Sequence, residues 1–262
     1  MGIAEQFQAA LNASGQTYER QMARQGLTLA TVTNITDPDK LNRVKCLPVE
    51  NKDNEEETDW CYVMAPLGGA QCGQFFFPNV NDLVVLAYLG GDPHRPMVIG
   101  SWWNTEVKPP YVIENGKVHN FSIKTPGGTE LLLYDEADKQ KAALTLPSGA
   151  VLRIDDEKQE AALQDKAGDN ALTMDLKGGN ITLKAKTKLT LSAGDTTITL
   201  ESSGAVTVKA SNKVSIEAAN IEEKGSAKVA VEAGTAEVKA NATLTLQASG
   251  PAALKGAIVN IN

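Results

Sequence analysis

From Ile181 to Asn262 apolar and polar residues alternate in short phrases of nearly constant wording. Examples are Ile181-Thr-Leu183-Lys-Ala185, Leu189-Thr-Leu191-Ser-Ala193, Val206-Thr-Val208-Lys-Ala210, Val214-Ser-Ile216-Glu-Ala218 and Leu244-Thr-Leu246-Gln-Ala248. Strict alternation predicts strands with one buried face. The phrases recur every seven to nine residues, most often eight, with Gly, Ser, Asn and Asp between them, the residue types that form turns. A repeat this short, sustained this long, predicts a solenoid of short strands rather than a globular core.

The composition of the buried face sets the geometry. Each phrase offers two β-branched or Leu side chains and then usually an Ala. No Phe, Tyr or Trp follows Tyr134, no Arg follows Arg153, and no Pro lies between Pro147 and Pro251. A single-chain β-solenoid encloses a broad interior and fills it with large residues. Side chains this small predict a narrow interior. Three copies of the chain meet that need most economically, each laying one phrase on a face before turning to the next. Strands of the other two copies then intervene between a chain's own strands. Each octad climbs about 4.8 Å, the spacing of paired strands, and the repeats make a rod on the order of 50 Å. Because that core exists only between chains, removing 176–262 is expected to leave a barrel that trimerises weakly or not at all.

Upstream the pattern changes. Residues 1–24 place Ile3, Phe7, Leu11, Tyr18 and Met22 at helical spacing, interrupted by Gly15, which predicts a helical cap or docking segment. Residues 25–105 hold five short alternating stretches with tight turns between them, beginning Leu27–Val32, Val44–Val49, Trp60–Met64, Leu83–Leu89 and Met97–Gly100. This predicts a small closed barrel. Residues 106–121 read as a linker. Residues 122–175 repeat a longer unit of strand, glycine turn, strand and Asp, ending at Asp135, Asp156 and Asp175, which predicts hairpin-like shaft repeats. The needle takes 176–262. The fold class expected is mainly β: an N-terminal helix, a closed barrel, then an intertwined triple-stranded β-helix needle in a homotrimer.

Charge narrows the partners. The chain is formally −7 with a pI near 5.0, which argues against nucleic acid as a partner. Residues 181–262 carry nine Lys and seven acids, a solvated outer face that also discourages edge pairing. Cys46, Cys61 and Cys72 form neither a paired framework nor a metal-binding spacing, so buried reduced thiols are expected. No apolar run approaches the roughly 20 residues of a membrane helix, and no signal peptide opens the chain. The expectation is a protein made in the cytoplasm and carried outward by a particle.

Several residues carry a resemblance. Asp37-Pro-Asp followed by Arg43-Val44, then Asp59-Trp60, Phe77-Pro78, the Gly-Asp-Pro-x-Arg-Pro run at Gly91–Pro96 and Ile99-Gly100-Ser101 resemble the OB-fold domain of the contractile-tail spike family. That family includes phage baseplate assembly protein V, the central spike of T-even phages and the VgrG proteins of type VI secretion. The resemblance spans most of 27–104 and continues through the repeats. VgrG proteins carry a large N-terminal hub and the T-even spike a lysozyme domain; neither has room here. The resemblance therefore implies a short, non-enzymatic spike of an OB-fold β-barrel and a needle, resident in the baseplate of a virion or injection particle. It implies a separate baseplate hub protein at the N-terminal and barrel end, effector cargo, and transient contact with the target membrane when sheath contraction drives the spike through the envelope. Some spikes of this family seal their point with a metal held by histidines, whereas the last histidine here is His119. The resemblance then implies a PAAR-type tip protein seated on Ile258, Val259, Asn260, Ile261 and Asn262.

For catalysis the sequence offers little. It contains no Gly-x-Ser-x-Gly, Walker loop or His-Glu-x-x-His, and no cofactor or metal site is expected. The loop Gly68–Gly73 lacks the Lys and Ser/Thr of a phosphate loop and reads as a turn. His94 lies between prolines in a tight turn, and Asp155-Asp156-Glu157 are neighbours at a turn rather than carboxylates facing across a bond. Hub or trimer contacts are assigned to Phe7, Leu11, Phe75, Phe77, Trp102 and Trp103. Consecutive rings at Phe75–Phe77 cannot all point inward along a strand, and the two tryptophans suit barrel closure or packing between subunits. The competing readings are a single-chain β-solenoid enzyme acting on polysaccharide, which would need acids or Arg on consecutive coils, and an adhesive tail fibre, which would need a receptor-binding head.

Overall fold

The computed structural model describes residues 26–53 and 55–261. The helix expected over 1–24, with Phe7 and Leu11, lies outside the described residues. The chain divides into two compact units at Lys186/Thr187.

The first unit opens with a ring of strands. β1 (Thr28–Asn34) pairs antiparallel with β2 (Lys45–Pro48), with a bulge between Val32 and Asn34, and with β6 (Leu83–Tyr88) on its other side. β6 pairs antiparallel with β7 (Pro96–Ser101), and β7 runs parallel to β3 (Tyr62–Val63). The circle closes where Val44 and Cys61 exchange backbone hydrogen bonds at 3.0 and 2.7 Å. Five strands in the order 2-1-6-7-3, with one parallel contact and a bulge that bends β1, make a small OB-type barrel. Its core is the alternate-residue set that period-2 patterning demands: Ala30, Val32, Val44, Cys46, Cys61, Val84, Leu86 and Val98, all buried. The hairpin β4 (Gly68–Gly69) and β5 (Cys72–Gly73) stands beside it. Two of the three thiols are buried as expected. Cys72 is exposed, because it sits on that two-stranded hairpin rather than inside the ring.

The loop from β1 to β2 is built on one carboxylate. Asp37 accepts backbone N–H bonds from Asp39, Leu41 and Arg43 and two from the Arg43 guanidinium, at 2.8 to 3.2 Å. The side-chain bond from Arg43, with the three backbone bonds, holds the Asp37 carboxyl far below the usual carboxylate range.

After the barrel comes an antiparallel meander of seven strands: β8 (Asn120–Lys124), β9 (Glu130–Tyr134), β10 (Lys141–Thr145), β11 (Val151–Asp155), β12 (Glu160–Gln164), β13 (Ala171–Asp175) and β14 (Asn180–Lys184). Two turn chemistries alternate along it. Gly128 and Gly149, at φ of 89° and 85°, make the tight hairpins β8–β9 and β10–β11, a backbone region that other residues enter at a cost. At the opposite ends, Asp155 and Asp175 accept N–H groups of the turns that follow them. The sheet runs on through β14, nine residues past the boundary expected at 175, because the Asp175 turn at Gly179 continues the hairpin rule instead of ending it.

The second unit contains β15 (Lys188–Ala193), β16 (Thr196–Glu201) and β17 (Val206–Lys209), again an antiparallel meander. This differs from the interleaving expected of the octads. Here successive phrases of one chain pair directly, since turns at Gly194 and Gly204 let adjacent strands satisfy each other with minimal loop closure. Beyond Lys209 the described residues form no strand and no backbone–backbone hydrogen bond, and every residue from Ser211 to Ile261 is exposed.

Candidate functional site

The feature that asks for an explanation is a face of the seven-stranded sheet. Cross-strand register places Phe121, Leu133, Ala142, Ile154, Ala161, Met174 and Ile181 in one row. Ile123, Leu131, Leu144, Leu152, Leu163, Leu172 and Leu183 form a second row, two residues along each strand and therefore on the same side. Apart from the two alanines, every member is 36–70% exposed. An ordinary half-buried sheet does the reverse and turns its apolar side to the core.

The opposite face is the better covered one. Ala162 and Asp155 are each 3% exposed. Arg153 pairs with Glu160 there, and the Lys141 ammonium lies 4.9 Å from the Tyr134 ring centroid. The polar side is largely paired within the sheet, although the Arg153 Nε is buried without a partner, and among the described residues the apolar side stays uncovered. A continuous apolar surface of this extent marks an interaction site. β15–β17 repeat the arrangement on a smaller scale, aligning Leu189 with Leu200 and Val206, and Leu191 with Ile198 and Val208.

Of the aromatic contacts assigned from sequence, Trp103 borders this surface, and Phe7 lies outside the described residues. Phe75–Phe77 is not a strand. Phe75 and Phe77 have ring centroids 4.5 Å apart, and Phe75 and Phe76 are 72% and 60% exposed. Trp102 is half-buried, its N–H bonding to Leu83 O and so extending the barrel ladder, and its indole nitrogen is buried without a partner. Trp103 is exposed. With Phe76, Pro110 and Ile123 it lines a cleft of about 520 Å³. The barrel's outward aromatics are thus continuous with the apolar rows through Ile123. Phe76 and the two rows were not singled out from sequence. Their signal was present as alternation, but alternation does not say which face finds cover. Of the residues assigned to the tip, Ile258, Val259 and Ile261 are exposed and lie in no strand; Asn262 lies outside the described residues.

No constellation for bond chemistry accompanies the surface. Among the described residues no group of three or more His, Cys, Asp and Glu is placed to hold a metal ion. Tyr111 donates to Glu130 at 2.7 Å, which pushes its phenol up to about 12, and serves to tie the linker to β9. No described helix is long and apolar enough to cross a membrane.

Comparison with known proteins places these observations. Residues 28–103 match the type VI secretion system/phage-baseplate injector OB domain. Type VI secretion system spike protein VgrG2a of Pseudomonas aeruginosa is 29% identical over 105 residues, covering 38% of this chain and 12% of the relative. The actin cross-linking toxin VgrG1 and the spike protein VgrG3, both of Vibrio cholerae, are 27% and 26% identical over 95 residues, in each case 35% of this chain and 9% of the relative. The matched stretch thus spans about a tenth of the length of these relatives. Residues 28–103 thus form an injector OB domain, and over that stretch the chain is similar to VgrG spike proteins.

Proposed function

We propose that the protein is a structural, non-enzymatic spike that works as a trimer of identical chains in a contractile tail or injection particle. The observation that carries this reading is the exposed double apolar row of β8–β14. Three copies turning that face toward a common axis bury it, and the polar face becomes the outside. Beyond Lys209 the backbone groups have no backbone partner among the described residues, and strands of the other two copies supply them as an intertwined β-helix. Interlocked strands carry axial load, since no chain can leave without breaking hydrogen bonds to both neighbours.

In this reading the barrel end meets the baseplate hub, with Phe75, Phe77, Trp102 and Trp103, and Phe7 and Leu11 of the N-terminal segment, as hub or trimer contacts. Ile258 to Asn262 seat a PAAR-type tip protein. Effector cargo and transient contact with the target membrane belong to the same assignment. Sheath contraction supplies the force, and the spike concentrates it. Native mass at micromolar concentration tests the core of the reading: a mass three times that of the 27.8 kDa chain is expected. A monomer at that concentration overturns it.

A further inference from the structure

OB barrels take oligonucleotides and oligosaccharides on the face of their second and third strands, between the loops that join strands one to two and four to five. In this barrel those loops are residues 35–44 and 89–95, and between them opens a cleft of about 360 Å³, at the small end of ligand-pocket volumes. Its floor is Trp60 and Tyr62, the latter 54% exposed. The Arg43 guanidinium lies 5.9 Å from both ring centroids. It is locked there by bonds to Asp37 and by a 2.6 Å bond to Asp39. Leu89 and Pro96 form apolar walls. On the rim, His94 Nδ1 and Asp59 Oδ2 are 2.8 Å apart and both side chains are exposed. Arg95, also on the rim, has no side-chain partner among the described residues.

We propose that this cleft binds a short oligosaccharide with at most one acidic group at the site. Charge decides against nucleic acid. Two guanidinium groups and the Lys45 ammonium, 5.8 Å from the Trp60 ring centroid, stand against four carboxylates; Arg43 is already committed to Asp37 and Asp39 and Lys45 to Glu57. A phosphate backbone needs several uncommitted cations, and Arg95 is one. An acidic peptide meets the Asp59 carboxylate beside it, whereas sugar hydroxyls donate to that carboxylate. The apolar C–H face of a sugar ring stacks on Tyr62, whose ring is preset by the fixed guanidinium and needs little ordering on binding. Arg95 then forks onto a single sugar carboxylate. This site stands apart from the trimeric reading, since all its parts come from one barrel.

The test titrates the full-length protein calorimetrically with four probes: a neutral N-acetylglucosamine tetramer, a galacturonate tetramer, an eight-nucleotide thymidine strand and an acidic octapeptide. Binding of one or both sugars is expected at concentrations up to about 5 mM, with the nucleotide and the peptide weaker. Tyr62→Ala weakens sugar binding by about tenfold or more and Tyr62→Phe retains it. Arg95→Ala weakens the galacturonate tetramer by about tenfold and leaves the neutral sugar nearly unchanged. Leu27→Ala, exposed and outside the cleft, has no effect. Absence of binding by both sugars overturns the proposal. So does a loss caused equally by Leu27→Ala, insensitivity to Tyr62→Ala, or a preference for the peptide or the nucleotide.

Discussion

Leu152→Asp separates the single chain from its assembly. Leu152 sits mid-row on β11, aligned with Leu144 on one side and Leu163 on the other. It is 53% exposed in the single chain, so a carboxylate there costs the isolated fold little, within about 0.5 kcal/mol for an exposed site. In a trimer that turns the rows inward, covering the remaining half of three Leu side chains contributes roughly 3 kcal/mol, and the substitution forfeits it. Each of the three carboxyl groups must also give up its charge near the axis. A pKa raised by about 3 units costs close to 4 kcal/mol per group. The combined penalty is on the order of 15 kcal/mol per trimer, enough to abolish assembly at micromolar concentration. Sedimentation velocity and far-ultraviolet circular dichroism read the two halves of this expectation: monomer mass with strand content retained in the two meanders. Thr182→Asp, on the opposite face of β14 and exposed, serves as the control and leaves the trimer intact. Assembly of the Leu152→Asp protein also recovers in part as pH falls below about 4, where carboxyl groups are neutral without penalty. A Leu152→Asp protein that remains a trimer with an unchanged melting curve refutes the inward placement of these rows.

Two further expectations concern other parts of the chain. Asp37→Asn removes the anchor of the β1–β2 loop and lowers the thermal midpoint of the barrel at pH 7. Because the Asp37 carboxyl is depressed in the folded state by Arg43, its contribution is complete above the unfolded value near 3.9 and is lost as pH falls through the folded one. The gap between wild type and variant therefore closes only below about pH 4, and a gap that does not depend on pH refutes the assignment. Truncation after Lys209 keeps both self-paired meanders and their apolar rows, so the product remains a trimer, with affinity reduced by about tenfold or more. A truncated chain that is wholly monomeric places the interlock in 210–262 instead.

The barrel was legible in the sequence because each of its signals is local. Asp37-Pro-Asp, the Gly90–Pro96 turn and the alternation at Ala30/Val32, Val44/Cys46 and Val84/Leu86 each fix one strand end or one inward set, and the ring follows once the strands are counted. The Gly-turn and Asp-turn rhythm of 122–175 was legible for the same reason. The extent of the meander was not. Nothing at Asp175 marks a change of partner, and Asn180–Lys184 has both an octad's wording and a hairpin's register, so its pairing with β13 shows only in the fold. The exposed cleft at Trp60, Tyr62 and Arg95 was hidden for a different reason, since its members come from two loops and a strand far apart in sequence and meet only when the ring closes. The outward Cys72 was missed because a two-residue strand leaves no periodicity to count.

The same alternation leads to opposite expectations for one chain and for three, and exposure discriminates between them. A single-chain solenoid closes on itself and covers its apolar rows with its own coils; here seven consecutive strands lie in one open sheet and leave both rows uncovered. Residual exposure in such a sheet measures what a partner must supply. The partner must be long, apolar on one side, and matched to a two-residue stagger repeated on every strand. A second and third copy of the chain meet all three conditions without further specification, because each brings the same rows at the same spacing. In the proposed trimer, the absence of Phe, Tyr and Trp after Tyr134 lets the apolar rows of three copies approach closely.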